Sequence, residues 1–162
     1  MKRLILIRHA KSGWDDTAAD DHERTLTARG RNAAEAIGTW LAQNDYIPDV
    51  FLVSDAARTV ETHKHLCAAL GQTPATKFLP LLYHAAPDTI LDLAQRETAK
   101  TVAVVGHNPG IAMAAYGLVK TRPDHSRFSD YPTCATTVID FANQIDIGKG
   151  TCTDFTVPRD LT

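Results

Sequence analysis

Apolar positions along this chain fall into short unbroken runs, separated by longer stretches with helical spacing. The run from Lys2 to Ile7 is bounded by charge and rich in branched side chains, which predicts a buried strand. Asp49-Val50-Phe51-Leu52-Val53 and Thr101-Val102-Ala103-Val104-Val105 repeat the pattern. Runs that are apolar at nearly every position, rather than at every second one, suit parallel strands covered on both faces.

Helical stretches lie between the runs. Thr27 is placed to cap a helix reaching about Gln43, with Ala33, Ile37, Trp40 and Leu41 on one side. A second helix is expected from about Ala56 to Leu70, with Val60, Leu66, Cys67 and Leu70 inward and Gly71 at its stop. Pro87 opens a third through Ile90, Leu91 and Ala94, and Pro109 a fourth through Ile111, Ala112, Ala115 and Leu118. Residues 120–133 read as a loop. Thr136–Phe141 and Cys152–Val157 then flank Gly148-Lys149-Gly150 as a hairpin. The fold class expected is α/β: a three-layer sandwich with a mostly parallel central sheet, helices on both faces and an antiparallel edge hairpin.

A length of 162 residues suits one domain, expected to span 1–162, and a core of that size needs no staples. Charge excludes some partners. With 19 acidic and 17 basic residues the net charge is -2, which gives no electrostatic case for nucleic acid or a membrane surface. The first apolar run is too short for a secretory leader, and three cysteines without CxxC spacing suggest neither a disulfide framework nor a cysteine zinc site. A cytoplasmic location is the expectation.

Ligands of open parallel sheets bind beyond the carboxyl ends of the strands. The first run ends in Arg8-His9. The second ends in Ser54-Asp55 and reaches Arg58 within a helical turn, and the third ends in Gly106-His107-Asn108-Pro109-Gly110. Two guanidinium groups and two imidazoles on one rim would repel one another if left empty. Their natural guest is an oxyanion, and the Arg fork matches phosphate. Amides opening the helix after Pro109 would add partial positive charge. Guanidinium neighbours lower an imidazole's pKa, leaving one nitrogen free to attack phosphorus.

These residues resemble a family. Arg8-His9-Ala10-Lys11-Ser12, Ser54-x-x-x-Arg58-Thr59-x-x-Thr62 and Gly106-His107-Asn108-Pro109-Gly110 are similar to the three phosphate-binding motifs of the histidine phosphatase superfamily, the phosphoglycerate-mutase-like fold. Asp21-His22-Glu23-Arg24-Thr25-Leu26-Thr27-x-x-Gly30 resembles its small phosphohistidine phosphatase branch, of SixA type. The resemblance implies His9 as nucleophile, with Arg8, Arg58 and His107 holding the phosphoryl oxygens, and neither metal nor cofactor. Ser12, Arg24 and His84 are second-rank candidates for substrate binding.

Two departures bear on the substrate. The glutamate that serves many members as general acid is absent from Leu81–Asp88, and Asp15 stands where mutase-type members place a phosphate-contacting asparagine. A P–N bond to a protonated imidazole needs less help from an acid than an alkoxide does, which favours phosphohistidine or another phosphoramidate. His84, Asp16 and Asp88 are possible substitutes for the acid. The substrate is then a phosphorylated protein or a small molecule. Alternatives are a small-molecule phosphomonoesterase and a non-catalytic phospho-ligand binding module. A metal hydrolase is poorly served by His63-x-His65, since i,i+2 residues of a helix do not share a face. A mutase would need a longer lid than residues 80–100 supply, and a dinucleotide site would need GxGxxG spacing.

Overall fold

The computed structural model describes residues 1–14 and 20–162; Asp15 and Asp16 lie outside the described residues. Six strands are described: β1 (Lys2–Arg8), β2 (Val50–Ser54), β3 (Ala75–Leu79), β4 (Thr101–Gly106), β5 (Thr136–Phe141) and β6 (Thr151–Thr156). They form one sheet in the order β3-β2-β4-β1-β5-β6. β3, β2, β4 and β1 run parallel, β5 runs antiparallel to β1, and β6 pairs antiparallel with β5.

Strand alternation sends side chains to two cores. Leu4 and Leu6 of β1, with Leu52, Val102 and Val104, face α3 (Pro87–Gln95) and α4 (Gly110–Leu118). Ile5 and Ile7, with Phe51, Val53 and Val105, face α1 (Ala28–Gln43) and α2 (Ala57–Leu70). Each of these fully buried Leu or Ile side chains contributes about 1.5–3 kcal/mol relative to exposure. Unbroken apolar runs are therefore what a doubly covered sheet requires, and the α/β sandwich expected from the sequence is the fold observed.

Helix ends follow local chemistry. The Thr27 side chain accepts the Gly30 N–H at 3.0 Å, and Gly71 closes α2 in the left-handed region at φ 75°. Three expectations need correction. Pro109 takes the cap position rather than the first turn, and Gly110 begins α4. A Cβ at Gly110 would lie 1.8 Å from the Ala85 carbonyl oxygen, so the helix start packs directly on that backbone. Val60 points outward and is exposed, because the inward stripe of α2 runs through Arg58, Thr59, Thr62 and Leu66. β3 is a further strand that the apolar pattern does not predict: its edge position leaves all five of its residues partly or fully exposed, so no apolar run marks it.

Candidate active site

β1, β4 and β2 are neighbours in the sheet, so Arg8-His9, His107 and Ser54 leave it at one end side by side. The His9 backbone is pinned on both sides: its N–H donates to the Gly106 carbonyl, and its carbonyl accepts from the Cys134 N–H, each at 3.0 Å. The Ala10 N–H donates to Thr62 Oγ1 at 2.9 Å, which ties the turn after β1 to α2. Thr59 reaches back to the Ser54 carbonyl at 2.7 Å and braces the first turn of α2, from which Arg58 projects. The two threonines of the second motif therefore lock the backbone.

His9 and His107 face each other with ring centroids 5.3 Å apart. The Nδ1–H of His9 donates to the Ala10 carbonyl at 2.7 Å, which leaves Nε2 as the lone-pair nitrogen. Among the described residues no carboxylate is hydrogen-bonded to the ring. Burial is the main reason its pKa falls to about 3, with Arg8, Arg58 and Arg24 adding to the drop. Desolvation thus outranks the guanidinium effect expected from the sequence. Burial also lowers His107 to about 2, helped by His9 and Arg58. Both rings are neutral at pH 7.

Arg58 is nearly inaccessible, at 2% exposure, and Arg8 donates through Nη1 to the Tyr131 carbonyl at 3.1 Å. Their charges are close enough that Arg58, after burial, lowers the pKa of Arg8. Four buried side-chain polar atoms have no hydrogen-bond partner among the described residues: Arg8 Nε, Arg58 Nε, His107 Nδ1 and Asn108 Oδ1. All four belong to this one cluster. Orphaned buried polar atoms are costly, about 1–3 kcal/mol each; three of these are nitrogens that suit a ligand's acceptors, while Asn108 Oδ1 is itself an acceptor.

The second-rank candidates lie at its edge. Arg24 donates through Nη1 to Ser12 Oγ at 2.9 Å, and its guanidinium stacks 3.7 Å from the Trp14 ring centroid. His84, at φ 52°, places its ring 5.1 Å from that of His107. Asp88 is an exposed residue in the first turn of α3. The Ile111 N–H is taken by the His107 carbonyl at 2.9 Å, so that amide is not available to an anion.

Sequence reasoning missed Asp21. The run Asp20-Asp21-His22-Glu23-Arg24 is mixed in sign and reads as a solvated loop, yet Asp21 is a hub. Arg58 donates through Nη1 to the Asp21 carbonyl at 2.7 Å and through Nη2 to Oδ2 at 3.1 Å. Tyr83 Oη–H also donates to Oδ2, His84 Nε2 lies 3.2 Å from it, and Arg24 pairs with Oδ1 at 3.0 Å. The Tyr83 hydroxyl, followed by Arg58 and His84, holds the Asp21 carboxyl below the usual carboxylate range, against the effect of its own desolvation. Contacts from these four residues, on three segments of chain, could have been suspected only from the motif Asp21-x-x-Arg24. Among the described residues no group of His, Cys, Asp and Glu is arranged to hold a metal ion. His63 and His65 diverge, His63 to Thr76 and Cys67 and His65 to Glu35.

The family model of the histidine phosphatase superfamily, branch 1, matches residues 4–78. An uncharacterized chloroplastic protein of Arabidopsis thaliana is 33% identical over 125 residues, which are 70% of this chain and 57% of that protein's length. An uncharacterized protein of Mycobacterium tuberculosis strain H37Rv is 31% identical over 163 residues, 94% of this chain and 100% of its own. Among solved structures, the Agrobacterium tumefaciens protein assigned as the phosphohistidine phosphatase SixA superposes with a TM-score of 0.82. It is 27% identical, with 97% of this chain and 98% of that one covered. With the strand-end Arg-His pair, the opposed histidine and the SixA-like fold together, the chain belongs to the histidine phosphatase superfamily, in its SixA-type branch, and is a phosphatase.

Proposed function

We propose that the protein is a metal-independent phosphohistidine phosphatase that works through a phosphohistidine intermediate on His9. One observation carries the reading. His107, its ring 5.3 Å away, and Arg8 and Arg58, whose charges act on His9, each carry an orphaned nitrogen beside a neutral imidazole whose Nε2 is the lone-pair nitrogen. Three nitrogens for phosphoryl oxygens and one nucleophile for phosphorus are what in-line transfer needs.

In the first step the Nε2 lone pair of His9 attacks phosphorus. The P–N bond to the substrate breaks, and its electron pair stays on a substrate imidazole that is already protonated at its other nitrogen and so departs neutral. Water then attacks phosphorus. The P–Nε2 bond breaks with its pair returning to His9, and the proton lost by water passes to solvent as inorganic phosphate leaves. Arg8 and Arg58 neutralise the equatorial oxygens, the task a divalent ion performs elsewhere, and each well-aimed donor is worth roughly 2.7–4 kcal/mol in the transition state. His107, neutral, donates a hydrogen bond from Nδ1. Arg24 and Ser12 brace the oxyanion side. The name of the Agrobacterium tumefaciens relative agrees with this substrate class.

A second reading, a small-molecule phosphomonoesterase, is favoured by one observation: Tyr83 and His84 bring proton-bearing groups to the edge of the site. One experiment separates the readings. Radiolabelled phosphoramidate should give an acid-labile label on His9 that is lost in His9→Ala. Phosphohistidine peptide should be turned over in the presence of EDTA, and sugar phosphates only weakly. Strong turnover of sugar phosphates would favour the monoesterase. Binding of phosphate analogues without labelling from any donor would favour a binding module.

A further inference from the structure

Beside the site runs a second feature that phosphoryl chemistry does not use. Two clefts of about 260 Å³ and about 490 Å³ share Arg29, Ala33, Pro158 and Arg159, so they form one groove between the start of α1 and the 3-10 turn Pro158–Leu161. Lys11 and Arg127 line the narrower part. Four cations in one groove contrast with a chain whose net charge is -2. The neighbouring acids do not neutralise them all. Asp130 pairs with Arg127 at 3.0 Å, and Asp160 turns to His125 at 2.8 Å. Among the described residues neither Arg29 nor Arg159, both exposed, forms an ion pair.

The groove adjoins the site. Lys11 follows His9 by two residues. Pro132 and Thr133, which also line the groove, directly follow Tyr131, the residue whose carbonyl takes Arg8. The next residue, Cys134, donates its N–H to the His9 carbonyl. A polypeptide whose phosphorylated side chain reached His9 would lay its neighbouring residues over these cations, since an extended chain advances about 3.3 Å per residue.

We infer that this groove docks an acidic segment flanking the phosphohistidine of a protein substrate. The inference rests on the phosphohistidine reading above and adds the recognition chemistry. Charge complementarity at an exposed rim acts on encounter and KM rather than on the bond-breaking step. Recognition is therefore expected to be salt-sensitive and confined to macromolecular substrates.

The test uses the full chain and two synthetic phosphohistidine peptides, one flanked by aspartates and one by lysines, with phosphoramidate as the small substrate. The aspartate peptide should show a KM about ten-fold lower, and the advantage should vanish in 0.5 M salt or in Arg29→Glu/Arg159→Glu. Arg29→Gln/Arg159→Gln should fall between. Thermal melting and phosphoramidate turnover of each variant report whether the fold and the site are intact. Equal KM for both peptides in the native protein would overturn the docking groove while leaving the phosphohistidine reading in place. Turnover of phosphoramidate but of neither peptide would remove that reading, and the groove's role with it. Competition by a short RNA, with none from the dephosphorylated aspartate peptide, would overturn the inference in favour of nucleic acid.

Discussion

Asp21 grips Arg58 twice, through its backbone carbonyl and through Oδ2, and so aims a guanidinium that is almost wholly buried. The same oxygen receives the Tyr83 hydroxyl, which joins the loop after β1 to the loop before α3. Asp21→Ala would strand Arg58 without its side-chain partner. We expect a loss of about 1–3 kcal/mol in urea denaturation, together with a lower kcat/KM. Asp21→Asn, which keeps an acceptor, should recover part of both; a variant as stable as the native protein would show that the clamp is dispensable.

Ser54 Oγ lies 2.8 Å from His107 Nε2 and also 3.4 Å from the Ala56 N–H, which it accepts. An Oγ that accepts the Ala56 N–H is free to donate its own hydrogen to Nε2, and in that tautomer the imidazole proton resides on Nδ1, the ring nitrogen without a partner among the described residues. Ser54 is thus a positioning residue for His107. Ser54→Ala removes one neutral hydrogen bond, worth about 0.5–1.5 kcal/mol, so kcat/KM should fall up to about ten-fold. A structural role alone would lower the melting temperature without this loss, and NMR of the ring nitrogens would report the tautomer directly.

The rim of arginines and histidines was legible because each member directly follows an apolar run or lies one helical turn beyond it. Asp21 was not, because its contacts are made across the fold: Arg58 is 37 residues away, and His84 63. Backbone contributions are equally hidden. The Tyr131 carbonyl that holds Arg8 is presented by a turn in which Tyr131 and Cys134 have φ of 48° and 63°, and neither residue type signals that conformation. β3 escaped for the reason that the central strands did not: Ala75-Thr76-Lys77-Phe78-Leu79 is covered on too little of its surface to need an apolar run.

Acid should weaken this fold early. Unfolded histidines take up protons near pH 6.5, whereas His9 and His107 resist until about 3 and about 2, chiefly because they are buried. The unfolded state therefore binds more protons within that window, so stability is full above pH 6.5 and declines as pH falls from there toward 3. Asp21, held below its usual range, adds a further loss below about pH 4. Urea midpoints at pH 7.5, 6, 5 and 4 should fall in that order. The acid limb of kcat/KM should show no ionisation of the nucleophile near 6.5.

Gly110 offers a packing test. Its missing side chain lets α4 start against the Ala85 carbonyl, next to His84, and a methyl there would meet backbone at 1.8 Å. Gly110→Ala must displace one or the other. We expect a loss of about 1–3 kcal/mol and a shifted His84 ring, whereas Gly117→Ala, where nothing lies within 4 Å, should be neutral or slightly stabilising. Equal melting temperatures for the two variants would contradict the close approach.

The central place of β1 governs when a working site can exist during synthesis. Its partners are β4 and β5, which end at Gly106 and Phe141, so the strand bearing the nucleophile emerges from the ribosome long before either neighbour. Until β4 has been made His9 has no His107 to face it, and until the turn before β5 has been made it has no Cys134 amide to fix its carbonyl. A nascent chain cut short before residue 130 would carry an intact Arg-His signature and no catalyst. Pairing across such long separations is slow, which leaves β1 the segment most in need of protection while translation proceeds.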